Sequence, residues 1–362
     1  LLETIADLVS LQGARWLGAP RRRSDGPPRP FSLEDLGARA RVLATLSEHG
    51  ALGGHFHWLS RDPWQFVSSR DGRALIGFQE RAFSLVAWRD PVGPATSRSD
   101  ALVAFRAHAR KLGKHAIVLG AGDELARDAD MRGFGTHWIG AEPFFDLASW
   151  HTRGKQGEKL RLAMNHARRA GGRARELDPL RDERDRAEIA RVERAWKGAR
   201  PERDNPSFMR TEPLENAEHR RYFGVETGAD GERRLESFLV CSPVSRRGYY
   251  LQDLVRHPSA PRGATELVTV HAMHELGREG AEFATMGVVA LLDPTNERAT
   301  SPAVRWILAR FDRLYRFSGL KQYREKFAPT RLEGVHVLHW PRALTPLAVW
   351  DISAVLSGPP RR

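Results

Sequence analysis

The stretch Tyr249-Tyr-Leu-Gln-Asp-Leu-Val-Arg-His-Pro-Ser-Ala-Pro-Arg-Gly263 decides the fold, because its pattern changes midway. Its first half is rich in aromatic and branched side chains and reads as a strand over 248–253. His257-Pro258 must end that strand, and Pro261 keeps the following segment irregular. Arg262-Gly263 then opens a helix from Ala264 to Arg278, and a strand over 281–286 follows. Working outward, a helix over 181–197 leads into strands at 220–225 and 235–242. Beyond the motif a helix at 302–315 and a last strand at 335–340 complete the second half.

The first half has the same order. Ser32-Leu-Glu-Asp35 has capping-box-like chemistry, so a helix is expected from there to Ser47. Two short strands at 73–79 and 82–88 are broken by Asp90-Pro-Val-Gly-Pro94. A helix over 98–112, a strand at 115–119, a helix at 123–131 and strands near 137–139 and 144–147 follow. Strand pair, helix, strand, helix, strand resembles the fold of the acetyl-CoA-dependent N-acetyltransferases. The expected class is therefore α/β, two tandem acetyltransferase-like units with mixed central sheets. The expected divisions are a basic, Pro-rich linker at 1–30, a first unit at 31–178 and a second, catalytic unit at 179–362.

A chain of 362 residues, 41% of them hydrophobic, can build a core in each unit. Lys and Arg number 57 against 45 Asp and Glu, a net charge of +12. Such an excess concerns partners, since it attracts nucleic acid and anionic membrane alike. Much of it is local, with 16 Lys/Arg against 9 Asp/Glu in residues 153–203. The single cysteine, Cys241, lies in an apolar run, which excludes an internal disulfide and fits a reducing compartment. No run of apolar residues is long enough to span a bilayer, so the chain as given is expected to be soluble. Leu1–Trp16 reads as an amphipathic segment before Arg21-Arg22-Arg23, which suits the link between a membrane part and a catalytic part.

Candidate site residues follow from placement. Asp253 and Arg256 stand at a strand end facing a loop. Arg262 and Gly263 open a helix, where free N–H groups form an anion site. Lys321, Arg324 and Lys326 put three cations within six residues, interleaved with Tyr323 and Phe327, a cluster suited to a phosphodiester or a developing oxyanion.

The 249–263 stretch and Gly319-Leu-Lys-Gln-Tyr-Arg-Glu-Lys-Phe-Ala-Pro329 together resemble the catalytic half of the aminoacyl-phosphatidylglycerol synthases. Trp88-Arg-Asp-Pro-Val-Gly93, Ile139-Gly-Ala-Glu142 and Lys159-Leu-Arg-Leu-Ala-Met-Asn165 fall in that family's order. The resemblance implies aminoacyl transfer from aminoacyl-tRNA to phosphatidylglycerol at the cytoplasmic face of a membrane, with aminoacyl-tRNA and anionic phospholipid as partners. It implies catalytic roles for Asp253, Arg256 and Lys326, and substrate contacts from Arg324, Tyr323, Arg262, Gly263, Tyr250 and Glu142. Arg324 stands where relatives commonly have Lys. The alternatives are the same chemistry on a soluble acceptor, a non-catalytic module for tRNA or anionic lipid, and more distantly an acetyltransferase. Pro258 and Pro261 break the glycine spacing that acetyl-CoA binding uses.

Other signals carry little. Gly120-Ala-Gly122 lacks the third glycine of a dinucleotide site. His271 and His274 have no metal-ligand companions at the required spacing, so no metal is expected. No nucleophile elbow appears, and exchange of one ester for another requires no cofactor.

Overall fold

The computed structural model describes residues 29–199, 211–229, 232–290 and 317–357. The helix expected at 302–315 and the N-terminal linker lie outside the described residues. In the first half come β1 (Phe31–Ser32), α1 (Ala38–His49), β2 (Gln65–Ser68), β3 (Leu75–Glu80) and β4 (Ser84–Trp88). α2 (Ala95–Lys111), β5 (His115–Gly122), α3 (Asp123–Met131) and β6 (Gly135–Asp146) follow. In the second half come α4 (Glu158–Arg169), β7 (Arg173–Leu177), α5 (Glu183–Gly198), β8 (Arg221–Thr227), β9 (Arg234–Val244) and β10 (Gly248–Arg256). The rest are α6 (Ala264–Arg278), β11 (Phe283–Thr285), β12 (Val289–Ala290), α7 (Phe317–Glu325), β13 (Arg331–Trp340) and α8 (Pro346–Ser357).

Both halves use one device. Antiparallel strands lead to a crossover helix, and the next strand lies parallel to the last: β4 beside β5 through α2, and β10 beside β11 through α6. A parallel neighbour requires such a crossover. This confirms the α/β class and the mixed strand pairing, with the same arrangement in both halves. The final strands then exchange: β6 pairs with β11 of the second half, while β13 returns to pair with β5 of the first. β6 and β13 also pair with each other, which fuses the halves into one 13-stranded sheet. α4 and β7, placed before residue 178, pack with the second half: β7 pairs with β8, and Leu160, Met164 and Ala167 of α4 join the core under α6.

Local chemistry explains the helices. Asp123 and Glu124 open α3 where the dipole favours anions. The Asp182 carboxylate caps α5 by accepting from the backbone N–H of Arg184 at 2.8 Å. The capping chemistry of Ser32–Asp35 is present, with Ser32 N–H donating to the Asp35 carboxylate at 2.7 Å. It closes a turn rather than starting a helix, and α1 begins after Gly37, whose φ of 74° suits only a residue without Cβ strain. The two strands expected at 137–147 are one strand, β6, held along both edges.

Candidate active site at the seam of the two halves

Glu142 lies in β6 and is fully buried. Its Oε1 accepts from Gly53 N–H at 2.9 Å and from Thr285 Oγ1 at 2.7 Å. Its Oε2 accepts from Arg89 Nη2 at 2.6 Å. The donors come from a loop of the first half, the end of β4 and β11 of the second half, so this carboxylate exists as a site only because the strands exchange. Arg89 is 1% exposed, adopts φ 68° and also donates to Gly120 O at 3.2 Å, while its Nε has no partner. A dry ion pair of this kind is weak as a source of stability, which points to positioning as its use.

Tyr250 and Arg324 face the same carboxylate. A Cβ on Gly53 would stand 2.6 Å from Glu142 Oε1 and 3.1 Å from the Tyr250 ring, so glycine lets the loop close over both. Arg324 Nη1 donates to Val288 O at 2.8 Å. Burial pulls the Arg324 guanidinium below its usual range, against the pull of Tyr250, Glu142 and Tyr323. Burial likewise raises the Tyr250 phenol, with Arg324 opposing. Of the residues expected from sequence, the structure brings Glu142, Tyr250 and Arg324 together, and adds Arg89 and Thr285. Arg89 belongs to a quoted motif, but nothing in its spacing marks it as the partner of Glu142.

Asp253 lies one step along the sheet. A β-bulge between Leu251 and Asp253 shifts the register of β10. Leu251 and Leu254 thus meet the core under α6, whereas Asp253 pairs opposite Val240 of the other layer. Arg256 ends β10 and is exposed, whereas Asp253 is buried. The cation near Asp253 is Arg220 instead, with Nη1 3.9 Å from Oδ2. Asp253 Oδ2 and Arg220 Nε both lack hydrogen-bond partners, though each residue is buried. Burial pushes the Asp253 carboxyl up to about 6, with Arg220 opposing and Glu193 and Glu212 adding to the rise. His57, Arg220 and Gln252 line a cleft beside it with Ser60, Arg61, Asp62, Glu212 and Glu215. His57 is 8% exposed, and burial, then Arg220 and Arg89, lower its pKa to about 3, so it is neutral. Sequence reading had no means to find His57 or Arg220.

The other expected residues have structural partners. Lys326 Nζ forms a salt bridge with Glu266 Oε1 at 2.8 Å and lies over the Tyr323 ring. Tyr323 donates its hydroxyl to Thr265 O at 3.1 Å. Both residues therefore tie α7 to the first turn of α6. Arg262 is exposed at that helix start. Gly263 has φ 88°, and a Cβ there would lie 1.9 Å from Ala163 O, so the backbone of α4 packs directly against this turn. Gly263→Ala is expected to cost more than about 1 kcal/mol, because left-handed backbone is strained for alanine and α4 must also shift. Urea unfolding checks this, and unchanged stability would show that α4 is not held against Gly263. Among the described residues no group of three or more His, Cys, Asp or Glu could hold a metal ion.

Comparison with known proteins gives this geometry a context. Residues 52–338 match the family described as phosphatidylglycerol lysyltransferase, C-terminal. The phosphatidylglycerol lysyltransferase of Bacillus subtilis (strain 168) is 24% identical over 301 residues, 80% of this chain and 34% of that protein. The chain thus spans about a third of the length of that relative. The fold is that of the C-terminal domain of a lysylphosphatidylglycerol synthetase from Agrobacterium fabrum, with a TM-score of 0.76 at 19% identity, covering 89% of this chain and 98% of the other. The L-PGS structure from Bacillus licheniformis gives a TM-score of 0.73 at 20% identity, covering 89% and 97%. With about four fifths of its length inside one family match and its fold shared with two structures from that setting, the chain belongs to the phosphatidylglycerol lysyltransferase C-terminal family.

Proposed function

We propose that this chain transfers an aminoacyl group from aminoacyl-tRNA to a hydroxyl of phosphatidylglycerol, at the cytoplasmic face of the membrane. The observation that carries the reading is the buried cluster of Glu142, Tyr250 and Arg324, with Asp253 beside it, inside the family match. Among the described residues no helix is long and apolar enough to cross a membrane. Membrane contact in this reading is peripheral for this part of the protein.

The ester on tRNA is already activated. The lipid hydroxyl oxygen attacks the ester carbonyl carbon, the bond from that carbon to the ribose oxygen breaks, and the lipid proton ends on the ribose oxygen. Positioning and charge stabilisation carry such an exchange. Arg324 and Tyr250 are donors suited to the tetrahedral oxyanion. Asp253, with an unpaired carboxylate oxygen and a pKa near neutrality, suits the aminoacyl ammonium or the lipid proton. Arg256 and Arg262, both exposed, suit phosphate contacts. Lys326 and Tyr323 act as positioning residues, since they hold α7 and thereby Arg324.

The test is incubation with a pool of radiolabelled aminoacyl-tRNAs and phosphatidylglycerol vesicles, followed by lipid extraction. Label is expected in one lipid, and none from free amino acid with ATP. Transfer without tRNA would overturn the donor, and label confined to a water-soluble product would overturn the acceptor. The relatives' name makes lysyl-tRNA the first donor to try.

A further inference from the structure

Glu142 Oε1 takes one donor from each half, and each donor leads to the Tyr250 ring. β11 lies parallel to β10 with Thr285 opposite Tyr250. Past Thr285 the chain turns, because Thr285 Oγ1 donates to Glu142 Oε1 at 2.7 Å and accepts from Gly287 N–H at 3.1 Å. Such a hydroxyl-closed turn is a local use of threonine, and it brings Gly287, at φ 70°, against Tyr250. A Cβ on Gly287 would stand 2.7 Å from Tyr250 Cε2, 2.9 Å from its hydroxyl oxygen and 3.0 Å from Cζ. Gly53 meets the same ring nearer its root, at Cδ2, and is held by its own bond to Glu142 Oε1. Behind Gly53, Trp88 Nε1 donates to Gly54 O at 3.1 Å.

Two bare backbones, one from each half, thus pack against the ring. Glycine is required at both for space, and at Gly287 also for its left-handed backbone. The next residue acts on the other donor of the site, since Val288 O accepts from Arg324 Nη1 at 2.8 Å. Consecutive residues therefore touch the tip of the Tyr250 phenol and the Arg324 guanidinium. The Tyr250 hydroxyl forms no hydrogen bond among the described residues, while Arg324 and Asp253 both bear on it electrostatically. A fixed ring whose hydroxyl has no protein partner is preorganised to donate to a bound group.

We infer that Gly287, with Gly53 across the seam, is a positioning residue for the transfer: the two backbones set where the Tyr250 hydroxyl stands relative to Arg324. This rests on the transfer reading above. Glu142 Oε1 anchors both glycines, directly at Gly53 and through Thr285 at Gly287, which gives the buried carboxylate a use beyond its pairing with Arg89. Displacing a catalytic donor by about 1 Å can cost about a hundredfold in rate. The atoms a new methyl would meet at Gly287 are the tip of a side chain, so the ring gives way before the sheet does.

The experiment compares Gly287→Ala, Gly53→Ala and Gly37→Ala, with Gly287→Ala also made in a Tyr250→Phe background. Gly37 has φ 74° and nothing within 4 Å of an added Cβ, so Gly37→Ala carries the backbone strain without the contact. Gly53→Ala adds the contact without left-handed backbone, and keeps the test decisive if Gly287→Ala does not fold. Thermal melting is the folding control. The first readout is the fluorine NMR spectrum of protein carrying fluorotyrosine at its five tyrosines, with the Tyr250 signal assigned by its loss in Tyr250→Phe. Gly287→Ala and Gly53→Ala are expected to move that signal more than any other, and Gly37→Ala to leave it in place. The second readout is transfer from aminoacyl-tRNA to phosphatidylglycerol vesicles. Here kcat should fall at least about tenfold in Gly287→Ala with KM within about threefold of the parent, whereas Gly37→Ala keeps the parental kcat. In the Tyr250→Phe background the further loss should stay under about twofold, because the group being positioned is already gone. An unmoved Tyr250 signal in the folded glycine variants would overturn the inference, as would an undiminished loss in the Tyr250→Phe background or an equal loss of kcat in Gly37→Ala. The fluorine spectrum requires no turnover, so it decides the placement of Tyr250 even where the parent chain transfers nothing from any donor, the result that would instead remove the transfer reading.

Discussion

Glu142→Ala is expected to destabilise the fold by about 3–5 kcal/mol, because it strands the Arg89 guanidinium in the interior without its counter-charge. It also removes the acceptor for Gly53 N–H and for Thr285 Oγ1, each buried. Those donors belong to both halves, so the loss should appear as lower overall stability in urea, with the transition still cooperative. A decrease below about 1 kcal/mol would mean that water or a rearranged side chain takes the place of the carboxylate. The companion variant, Arg89→Met/Glu142→Leu, removes both charges and should recover most of the stability, since apolar replacements of buried pairs are often neutral. It should remain inactive if the pair positions Tyr250 and Arg324. Recovery of both stability and transfer would reduce the pair to a packing feature.

Asp253→Asn is expected to lower kcat/KM about a hundredfold or more, equivalent to roughly 3 kcal/mol of transition-state stabilisation, without loss of stability at neutral pH. The charge effects can be separated by pH. Burial raises the Asp253 carboxyl to about 6, above the value of about 4 expected in the unfolded chain. The folded state therefore binds this proton more tightly, and its stabilising contribution is full below about pH 4 and lost as pH rises through about 6. Asp90, also raised to about 6 by burial, acts in the same sense. His55 and His57, lowered to about 3 by burial, act in the opposite sense, losing stability as pH falls below their unfolded value. Because these slopes oppose one another, the difference between the parent and Asp253→Asn isolates the carboxyl. That difference should favour the variant increasingly from about pH 4 to 7. If ionised Asp253 is required, parental kcat/KM should rise with pH through about 6, and the residual activity of the variant should lack that limb. Near-parental transfer by a folded Asp253→Asn chain would make the residue structural.

Sequence alone located the elements whose signals are local. α3 and α6 were expected at the residues where they stand, because their starts and their apolar spacing lie within a few neighbours. It also marked Glu142, Tyr250 and Arg324, through motifs that resemble a family, before any contact among them could be known. Failures have a common cause. β6 looked like two strands because Gly140 and Pro143 interrupt its pattern, and only partners from residues 283–290 and 331–339 make it one. Lys326 looked like a free cation because its partner, Glu266, is sixty residues earlier. The burial of Asp253 on the face of Val240 was not legible, because the bulge between Leu251 and Asp253 that sets its face has no clear signature in sequence. The amino-acid sequence thus determined the class of fold, the helix and strand order of each half and which charged residues were worth watching. Tertiary structure decided the exchange of β6 and β13, and with it the meeting of Glu142, Arg89 and Thr285 in one dry site, because strand pairing and buried charge depend on groups distant in the chain.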